Sequence, residues 1–299
     1  MQIVIVDSSR VVLQIIASLI EPRGHAVHTF TDSEQALNFL AATPSVRVLI
    51  TSLEVRPLSG LEICWEARLL AEDRRPLHVI TMSSARNVRS LAEALDSGAD
   101  DFIEKPPSAE ELNARLRAAE RLTTMQEELI RLAETDPLTG SYNRRAFFAR
   151  ARNAAEQHRH PGGISAILLD IDHFKRINDE HGHDVGDVAI KAVADLIAGD
   201  GIAGRLGGEE FGVILPGRCL VEAAVRAERL RVATQGRCIR AANGTIRLTC
   251  SFGVSTWTDG DDSVEALVKR ADLALYAAKS GGRNRVVPYT DEATFAVAR

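Results

Sequence analysis

The first 107 residues alternate between short apolar runs and segments with helical periodicity. Ile3–Val6 is a continuous β-branched run, which is typical of a strand buried on both faces of a parallel sheet. Arg10–Ile20 has apolar residues at helical spacing and ends before Pro22. Further strands are predicted over Ala26–Phe30, Val46–Thr51, Leu77–Met82 and Asp101–Ile103, with helices over Ser33–Leu40, Leu61–Leu70 and Val88–Ser97. Five strands with intervening helices predict a doubly wound α/β domain over residues 1–107.

A segment without glycine or proline, residues 108–134, follows this domain. It is rich in Ala, Glu, Leu and Arg, and Ser108 followed by Glu111 is typical of a capping box at the start of a helix. Its apolar residues recur at the 4-3-4-3 spacing of a coiled coil: Ala118, Leu122, Met125, Leu129 and Leu132. Two alternatives remain, a seam that pairs two chains and a helix docked on its own domain, because about two heptads are too few to decide.

The residues Asp136-Pro137 and Gly140 end this helix and open a second domain, predicted over residues 135–299. Strands are predicted over Ser165–Ile171, Phe211–Leu215 and Thr245–Trp257, and helices over Val185–Ala198, Leu220–Thr234 and Ser263–Ser280. The expected architecture is α+β or α/β.

Two carboxylates end the first of these strands. Asp170 and Asp172 are two positions apart, so their side chains would point to the same face of an extended strand. Acids at the end of an apolar strand are costly unless they are solvated or paired with a cation, and Mg²⁺ prefers oxygen ligands. The pair indicates a magnesium site, with a solvated strand end as the alternative from this motif alone.

Polar residues suited to a nucleotide follow in residues 177–187. Here Asn178 and Asp187 offer oxygen acceptors that match the N–H donors on the Watson–Crick edge of guanine. Further along, Gly207-Gly208 precedes two acids, and a Gly-Gly turn lets a phosphate approach the backbone closely. Glu209 could complete a metal site with Asp170.

Cations near the end of the chain, Lys279 and Arg283, suit a triphosphate.

The chain as a whole is mildly acidic, with 36 Lys and Arg against 41 Asp and Glu and a net charge of −5, so we expect neither nucleic acid nor an anionic membrane as a partner. No apolar run is long enough to span a bilayer, and Asp7 and Arg10 interrupt any signal peptide, so the expected location is cytoplasmic. Without a C-x-x-C pair, the cysteines are expected to be reduced packing residues: Cys64, Cys219, Cys238 and Cys250.

From Thr135 to Val287 the chain resembles the GGDEF domain of the diguanylate cyclase family, in its GGEEF form. Six blocks occur in the family's order: TDPLTGSYNRRAFF, DIDHFKRIND, GHDVGD, GGEEF, TCSFGVS and ALYAAKSGGRN. The resemblance implies an α+β fold similar to nucleotidyl cyclases and polymerase palm domains, and synthesis of cyclic di-GMP from two GTP. It also implies a homodimer, since each domain binds one GTP and two domains must face each other.

The resemblance assigns metal-binding and catalytic roles by position. Asp170, the carbonyl of Ile171 and Glu209 would hold magnesium, with manganese as the alternative ion. Glu209, with Glu210 as the alternative, would help the 3′-hydroxyl lose its proton. Asp172 matches a family position whose expected role is structural.

The resemblance also assigns the contacts to GTP. The matched positions are Phe174, Lys175, Asn178, His183, Asp187, Gly207, Gly208, Lys279 and Arg283. Asn178 and Asp187 would bind guanine, and His183 would lie close to the nucleotide. The phosphate contacts would be Lys175, Lys279 and Arg283.

The first domain, from Met1 to about residue 119, resembles the flavodoxin-like receiver domain of response regulators. The positions that match the family are Asp7, Ser83, Phe102 and Lys105-Pro106. Ser8 stands where a second acid is usual, and Ser52 stands where the phospho-accepting aspartate is expected. Because phosphorylation needs a carboxylate nucleophile and a magnesium held by acids, we expect a degenerate receiver that serves packing, dimerisation or recognition of a regulatory protein.

Three functions are weighed: an active diguanylate cyclase, an inactive GGDEF module that acts as a nucleotide receptor, and a scaffold. Receptors in this family typically lose the GGEEF residues and keep an R-x-x-D feedback motif upstream. Here GGEEF is intact, and the matching residues 198–201 contain Asp200 but no arginine. The resemblance therefore favours the enzyme and predicts weak product inhibition.

Overall fold

The computed structural model describes residues 1–71, 75–84, 88–158, 160–199, 201–241 and 244–290. The chain divides into two compact units, Met1–Arg131 and Leu132–Arg299. The division falls inside the segment predicted to connect two domains, and the boundaries given above stay predictions.

The first unit is built on a parallel sheet. Its strands are β1 (Gln2–Val6), β2 (Ala26–Phe30), β3 (Val46–Ser52), β4 (His78–Ser83) and β5 (Asp101–Glu104). Its first helices are α1 (Arg10–Ile20), α2 (Ser33–Ala42), α3 (Gly60–Ala71) and α4 (Val88–Asp96). In the described residues, five strands pair in the order β2-β1-β3-β4-β5. The alternating side chains of the strands fill two cores, one with α1 and one with α2, α3 and α4, so the predicted doubly wound receiver fold is confirmed.

The long helix α5 (Ala109–Glu134) begins at Ser108, whose Oγ accepts a hydrogen bond from the Glu111 backbone N–H at 3.1 Å. The first turns of the helix bury Leu112 and Leu116 in the core that contains α1. The later apolar residues are 55–64% exposed: Leu122, Met125, Leu129 and Leu132. The single chain therefore leaves most of the predicted seam uncovered.

The second unit has a mixed sheet. Its strands are β6 (Tyr142–Asn143), β7 (Ile164–Ile171), β8 (Ile202–Gly207), β9 (Glu210–Pro216), β10 (Cys238–Ala241), β11 (Gly244–Arg247), β12 (Cys250–Thr256) and β13 (Val286–Pro288). Its helices are α6 (Arg144–Gln157), α7 (Phe174–His181), α8 (His183–Ile197), α9 (Leu220–Gly236) and α10 (Val264–Ser280). Among the described residues, six strands pair in the order β13-β12-β7-β9-β8-β6, and β10 and β11 form a separate hairpin. This is the expected α+β unit, with β7 and β9 at its centre.

Two expectations from the sequence were wrong. The single strand over Thr245–Trp257 is two strands, because β11 pairs with β10 while β12 joins the main sheet. The cysteines divide into two classes: Cys64 and Cys250 are buried as expected, whereas Cys219 and Cys238 are exposed, and all four are free. Cys219 is the N-cap residue of α9 rather than a packing residue.

None of the helices in the described part of the chain is both long enough and apolar enough to span a bilayer.

Candidate active site

The centre of the second sheet brings three acids together. The antiparallel register of β7 and β9 places Asp170 opposite Glu210. Glu209 lies in the two-residue turn, Gly208-Glu209, that joins β8 to β9. Because the apolar residues of β7 are buried on both faces, the sheet fixes the strand that carries Asp170. We call Asp170, Glu209, Glu210 and Lys279 the GGEEF site.

Asp170 is the buried acid of this site, with 7% of its surface exposed. The Lys279 Nζ, in the last turn of α10, lies 2.8 Å from Asp170 Oδ2. Burial raises the pKa of Asp170 to about 6; Lys279 opposes that rise, and the charges of Glu209 and Glu210 add to it. One lysine contacts Asp170 while the charges of Glu209 and Glu210 also act on it, and this excess of negative charge favours a bound cation.

Asp172 has different partners from Asp170. Its carboxylate accepts hydrogen bonds from Ser251 Oγ at 2.6 Å, from Thr249 Oγ1 at 2.8 Å and from the Asn284 backbone N–H at 3.0 Å. Asp170 and Asp172 therefore have no partner in common among the described contacts, and their joint magnesium site stays a prediction. The structural role expected for Asp172 from the resemblance agrees with these contacts.

The Gly-Gly turn faces open space. A Cβ added to Gly207 or Gly208 would meet no atom within 4 Å, although Gly208 has a φ of +35°. Arg205 fixes the turn: its Nε donates to the Gly208 carbonyl at 2.8 Å and its Nη1 lies 3.1 Å from both carboxylate oxygens of Asp136. Since no neighbour among the described residues crowds Gly207, its missing side chain leaves room for a ligand.

The pair α7 and α8 holds the residues expected to bind guanine. A Cβ on Gly186 would lie 2.0 Å from Asn178 Oδ1 and 3.1 Å from the Phe174 ring, so this glycine permits the close approach of the helices. The Oδ1 of Asn178 is buried and accepts no hydrogen bond from the described residues. Asp187 follows Gly186 on α8 and is exposed, as is His183 one turn earlier.

The remaining expected phosphate ligands are exposed cations. Lys175 lies in the first turn of α7, and Arg283 lies in the loop after α10 with a φ of +63°. Asp170 thus lies opposite Glu210 in the sheet and forms an ion pair with Lys279. Glu209 lies in the turn just before Glu210. Their residue-by-residue roles stay predictions.

Several contributors were not found from the sequence. Arg205 received no predicted role above, and Asp136 was predicted only to end the long helix. The spacing of Asp136 and Arg205, 69 residues apart, gave no signal of their ion pair. The expectation of weak product inhibition rests on the missing arginine in residues 198–201, of which Asp200 lies outside the described residues.

The donors at the GGEEF site suit a magnesium ion. Asp170 and Glu209 would supply two carboxylates and Ile171 a carbonyl, and Mg²⁺ is usually held by one or two carboxylates together with substrate phosphates. In the described ranges, no group of three or more His, Cys, Asp or Glu side chains is placed to hold a metal ion by itself. The excess negative charge around Asp170 is the observation that makes this set fit a divalent cation.

The first unit has a different site, which we call the receiver site: Asp7, Ser52 and Lys105. The Lys105 Nζ lies 2.5 Å from Asp7 Oδ2 and donates to Ser52 Oγ at 2.6 Å. Ser52 and Ser83 are buried, whereas Ser8 is exposed. The one carboxylate of this site is thus matched by one lysine.

Comparison with known proteins agrees with both halves of the chain. The family model for the diguanylate cyclase GGDEF domain matches residues 133–285, just over half of the chain, and the model for the response regulator receiver domain matches residues 3–117.

Among similar proteins, response regulator PleD of Caulobacter vibrioides is 35% identical over 272 residues, which cover 86% of this chain and 59% of that protein. Diguanylate cyclase DgcP of Pseudomonas aeruginosa is 36% identical over 231 residues, covering 69% of this chain and 34% of that protein. The chain therefore spans less than two thirds of the length of these relatives. The crystal structure of the coiled coil and GGDEF domain of DgcB from Caulobacter crescentus, in complex with c-di-GMP, is 37% identical with a TM-score of 0.53, covering 59% of this chain and 98% of that one. The chain belongs to the diguanylate cyclase GGDEF-domain family and carries a response regulator receiver domain ahead of that domain.

Proposed function

We propose that this chain is a diguanylate cyclase that condenses two GTP into one cyclic di-GMP and two pyrophosphates. The observation that carries the proposal is the placement of Asp170 opposite Glu210 beside a Gly-Gly turn that faces open space. Relatives that carry the name diguanylate cyclase support it. The excess of carboxylates would hold the metal ion that a reaction between two polyanions needs.

Members of the family are generally metal-dependent. In this chain Asp170, the carbonyl of Ile171 and Glu209 would hold magnesium, with manganese as the alternative ion. The ion, when bound, would polarise the phosphate under attack as a Lewis acid.

The guanine base would lie against α7 and α8. The buried Oδ1 of Asn178 has no donor among the described residues, and an unpaired buried acceptor costs about 1–3 kcal/mol. A guanine N–H would satisfy it, and the exposed carboxylate of Asp187 would accept a second N–H. Phe174 and His183 would line the same site.

The triphosphate would meet the chain's cations and its glycine turn. Lys175, Lys279 and Arg283 would neutralise charge as pyrophosphate leaves, and this kind of electrostatic positioning supplies most of the acceleration in phosphoryl transfer. Glu209, with Glu210 as the alternative, would take the proton from the attacking 3′-hydroxyl.

A homodimer completes the proposal, because each GTP must meet a second one bound in another domain. The exposed apolar residues of α5 supply a seam for a parallel pair of helices. The receiver would contribute to dimerisation or bind a regulatory protein. Because the proposed substrate of the enzyme is GTP, the proposed site of action is the cytoplasm.

The test is synthesis by the purified full chain. With GTP and Mg²⁺, chromatography should show cyclic di-GMP, and omission of Mg²⁺ should abolish it. Glu209→Ala should lower the rate at least about a hundred-fold, the size of effect seen when a group that stabilises transition-state charge is lost. Glu156→Ala, an exposed acid near the end of α6, is the matched control and should keep the parental rate. A parental rate in Glu209→Ala would show that the assignment is wrong.

A further inference from the structure

The loop between α10 and β13 has an uncommon backbone. Three consecutive residues have positive φ: Gly282 at +114°, Arg283 at +63° and Asn284 at +44°. Glycine adopts this region freely and asparagine tolerates it, whereas arginine rarely does. Such a conformation persists where the surrounding structure holds it in place.

Two elements hold Asn284 in this loop. Its backbone N–H donates to Asp172 Oδ2 at 3.0 Å, and its Oδ1 accepts from Arg231 Nη1 on α9 at 3.0 Å. Asp172 is itself 5% exposed and is fixed by the hydroxyls of Thr249 and Ser251. A rigid, buried carboxylate at the end of β7 thus anchors a surface loop.

We propose that Asp172 is a positioning residue that, through Asn284, orients the guanidinium of Arg283 toward the GTP phosphates. The inference rests on the proposed function for the role of Arg283. Three donors occupy the Asp172 oxygens, which together offer about four lone-pair sites, so this acid holds the loop while Asp170 serves the cation.

The first test compares substrate kinetics of the full chain. Asp172→Ala should raise the KM for GTP about ten- to a hundred-fold, the value of one charge-assisted phosphate contact, and Arg283→Ala should raise it by the same factor. The double variant should raise it no further, because both changes remove one contact. Asp172→Asn is the matched control: its amide oxygen keeps the Asn284 N–H bond, so KM should stay within about three-fold of the parent.

A second readout needs no GTP turnover. Amide hydrogen exchange over residues 281–286 should accelerate in Asp172→Ala, and it should stay at the parental rate in Asp172→Asn and Arg283→Ala. If Asp172→Ala fails to fold, Asn284→Ala and Asn284→Asp replace the pair. Asn284→Asp keeps an acceptor for Arg231 and tolerates positive φ, whereas Asn284→Ala does neither.

The outcomes separate the two proposals. Parental exchange over residues 281–286 in Asp172→Ala, or KM effects of Asp172→Ala and Arg283→Ala that multiply, would overturn the positioning role. A wild-type chain that makes no cyclic di-GMP would overturn the proposed function, and hydrogen exchange would then decide the positioning role alone.

Discussion

The receiver site and the GGEEF site each pair a buried aspartate with a lysine, and they differ in the balance of charge. In the receiver site Lys105 meets one acid, Asp7, and a neutral hydroxyl, Ser52. In the GGEEF site Lys279 contacts Asp170, and the charges of Glu209 and Glu210 raise the pKa of Asp170 further. The first site is neutral as it stands, whereas the second keeps a negative charge that a cation would compensate.

The comparison teaches that one aspartate–lysine pair does not define a function. What matters is the number of acids that surround the pair and the space beside it. Ser52 replaces the acid that would unbalance the receiver site, while the Gly-Gly turn keeps space open at the GGEEF site.

The largest effect is expected from the lysine of the receiver site. Lys105→Met would leave Asp7, 1% exposed, as an unpaired buried charge, and breaking a buried pair in this way costs about 3–5 kcal/mol. Hydrogen exchange of β1 and β3 should reveal the loss. Lys279→Met is the control at the GGEEF site: because the side chains of Lys279 and Asp170 are 31% and 9% exposed, against 11% and 2% for Lys105 and Asp7, its cost in stability should be smaller. Equal costs at the two sites would contradict the comparison.

The next effect concerns pH and Asp170. Since burial raises the folded-state pKa to about 6, above the ordinary value of 3.8, ionisation of Asp170 destabilises the folded state. The free energy of unfolding should therefore fall by up to about 3 kcal/mol as the pH rises from about 4 to above 6 without metal, and Asp170→Asn should remove that fall. Urea unfolding at pH 5 and pH 8 checks this in a Trp65→Phe background, where the buried Trp257 is the only tryptophan left.

Asp261→Asn is the matched control for the pH experiment. The hydrogen bond and charge of Arg270 lower the pKa of Asp261 despite its burial, so its ionisation stabilises the fold. This substitution should therefore destabilise the protein at pH 7, the opposite sign from Asp170→Asn. The same sign for both would break the charge-balance interpretation.

A smaller effect is expected at the α5 seam, because the proposed reaction needs two GGEEF sites to meet. Leu122→Glu or Leu129→Glu would place charges in the seam, where burial of an unpaired ion is unfavourable. Activity per chain should fall at least about ten-fold at low protein concentration and recover partly at high concentration. Thr124→Glu, exposed on another face of α5, should leave both activity and sedimentation unchanged. A monomeric Leu129→Glu with full activity would argue against pairing through this helix.

The smallest effect, none at all, is expected from a phosphoryl donor or a phosphoryl analogue. Acetyl phosphate or beryllofluoride should change neither the intact mass nor the rate, because the receiver site lacks a carboxylate at position 52 and a second acid at position 8. Ser52→Asp alone should also remain unresponsive, while the double variant with Ser8→Asp restores both acids. Activation of the wild type by beryllofluoride would show that the receiver site still responds to a phosphoryl analogue.

Local periodicity predicted the fold well where an element is defined by its own residues. The β-branched strands of the first unit and helix α1 fall where the pattern places them. Strand β8 was missed, because Ile202–Gly207 contains two glycines and an arginine and is a strand only through its pairing with β6 and β9. The break between β11 and β12 likewise depends on which partner each strand finds.

At the candidate site, motif order predicted a set of residues but not their partners. The two-residue separation of Asp170 and Asp172 suggested a shared role. It holds no information about Lys279 or Asn284, which lie more than 100 residues away. Nor does the sequence reveal that Asn178 has a buried acceptor without a donor. These facts depend on packing between distant segments, which a single sequence does not encode locally.

The position of Glu209 in a turn has a consequence for the history of such proteins. Glu210 belongs to the pairing of β8, β9 and β7, whereas Glu209 is outside the ladder, so a change at position 209 leaves the sheet intact. Under the proposed function, selection for a folded domain and selection for catalysis would therefore act on different neighbouring residues. A duplicated copy could then lose the proposed chemistry through one substitution at position 209 and still keep its fold, which gives a short evolutionary path from a synthase to a sensor.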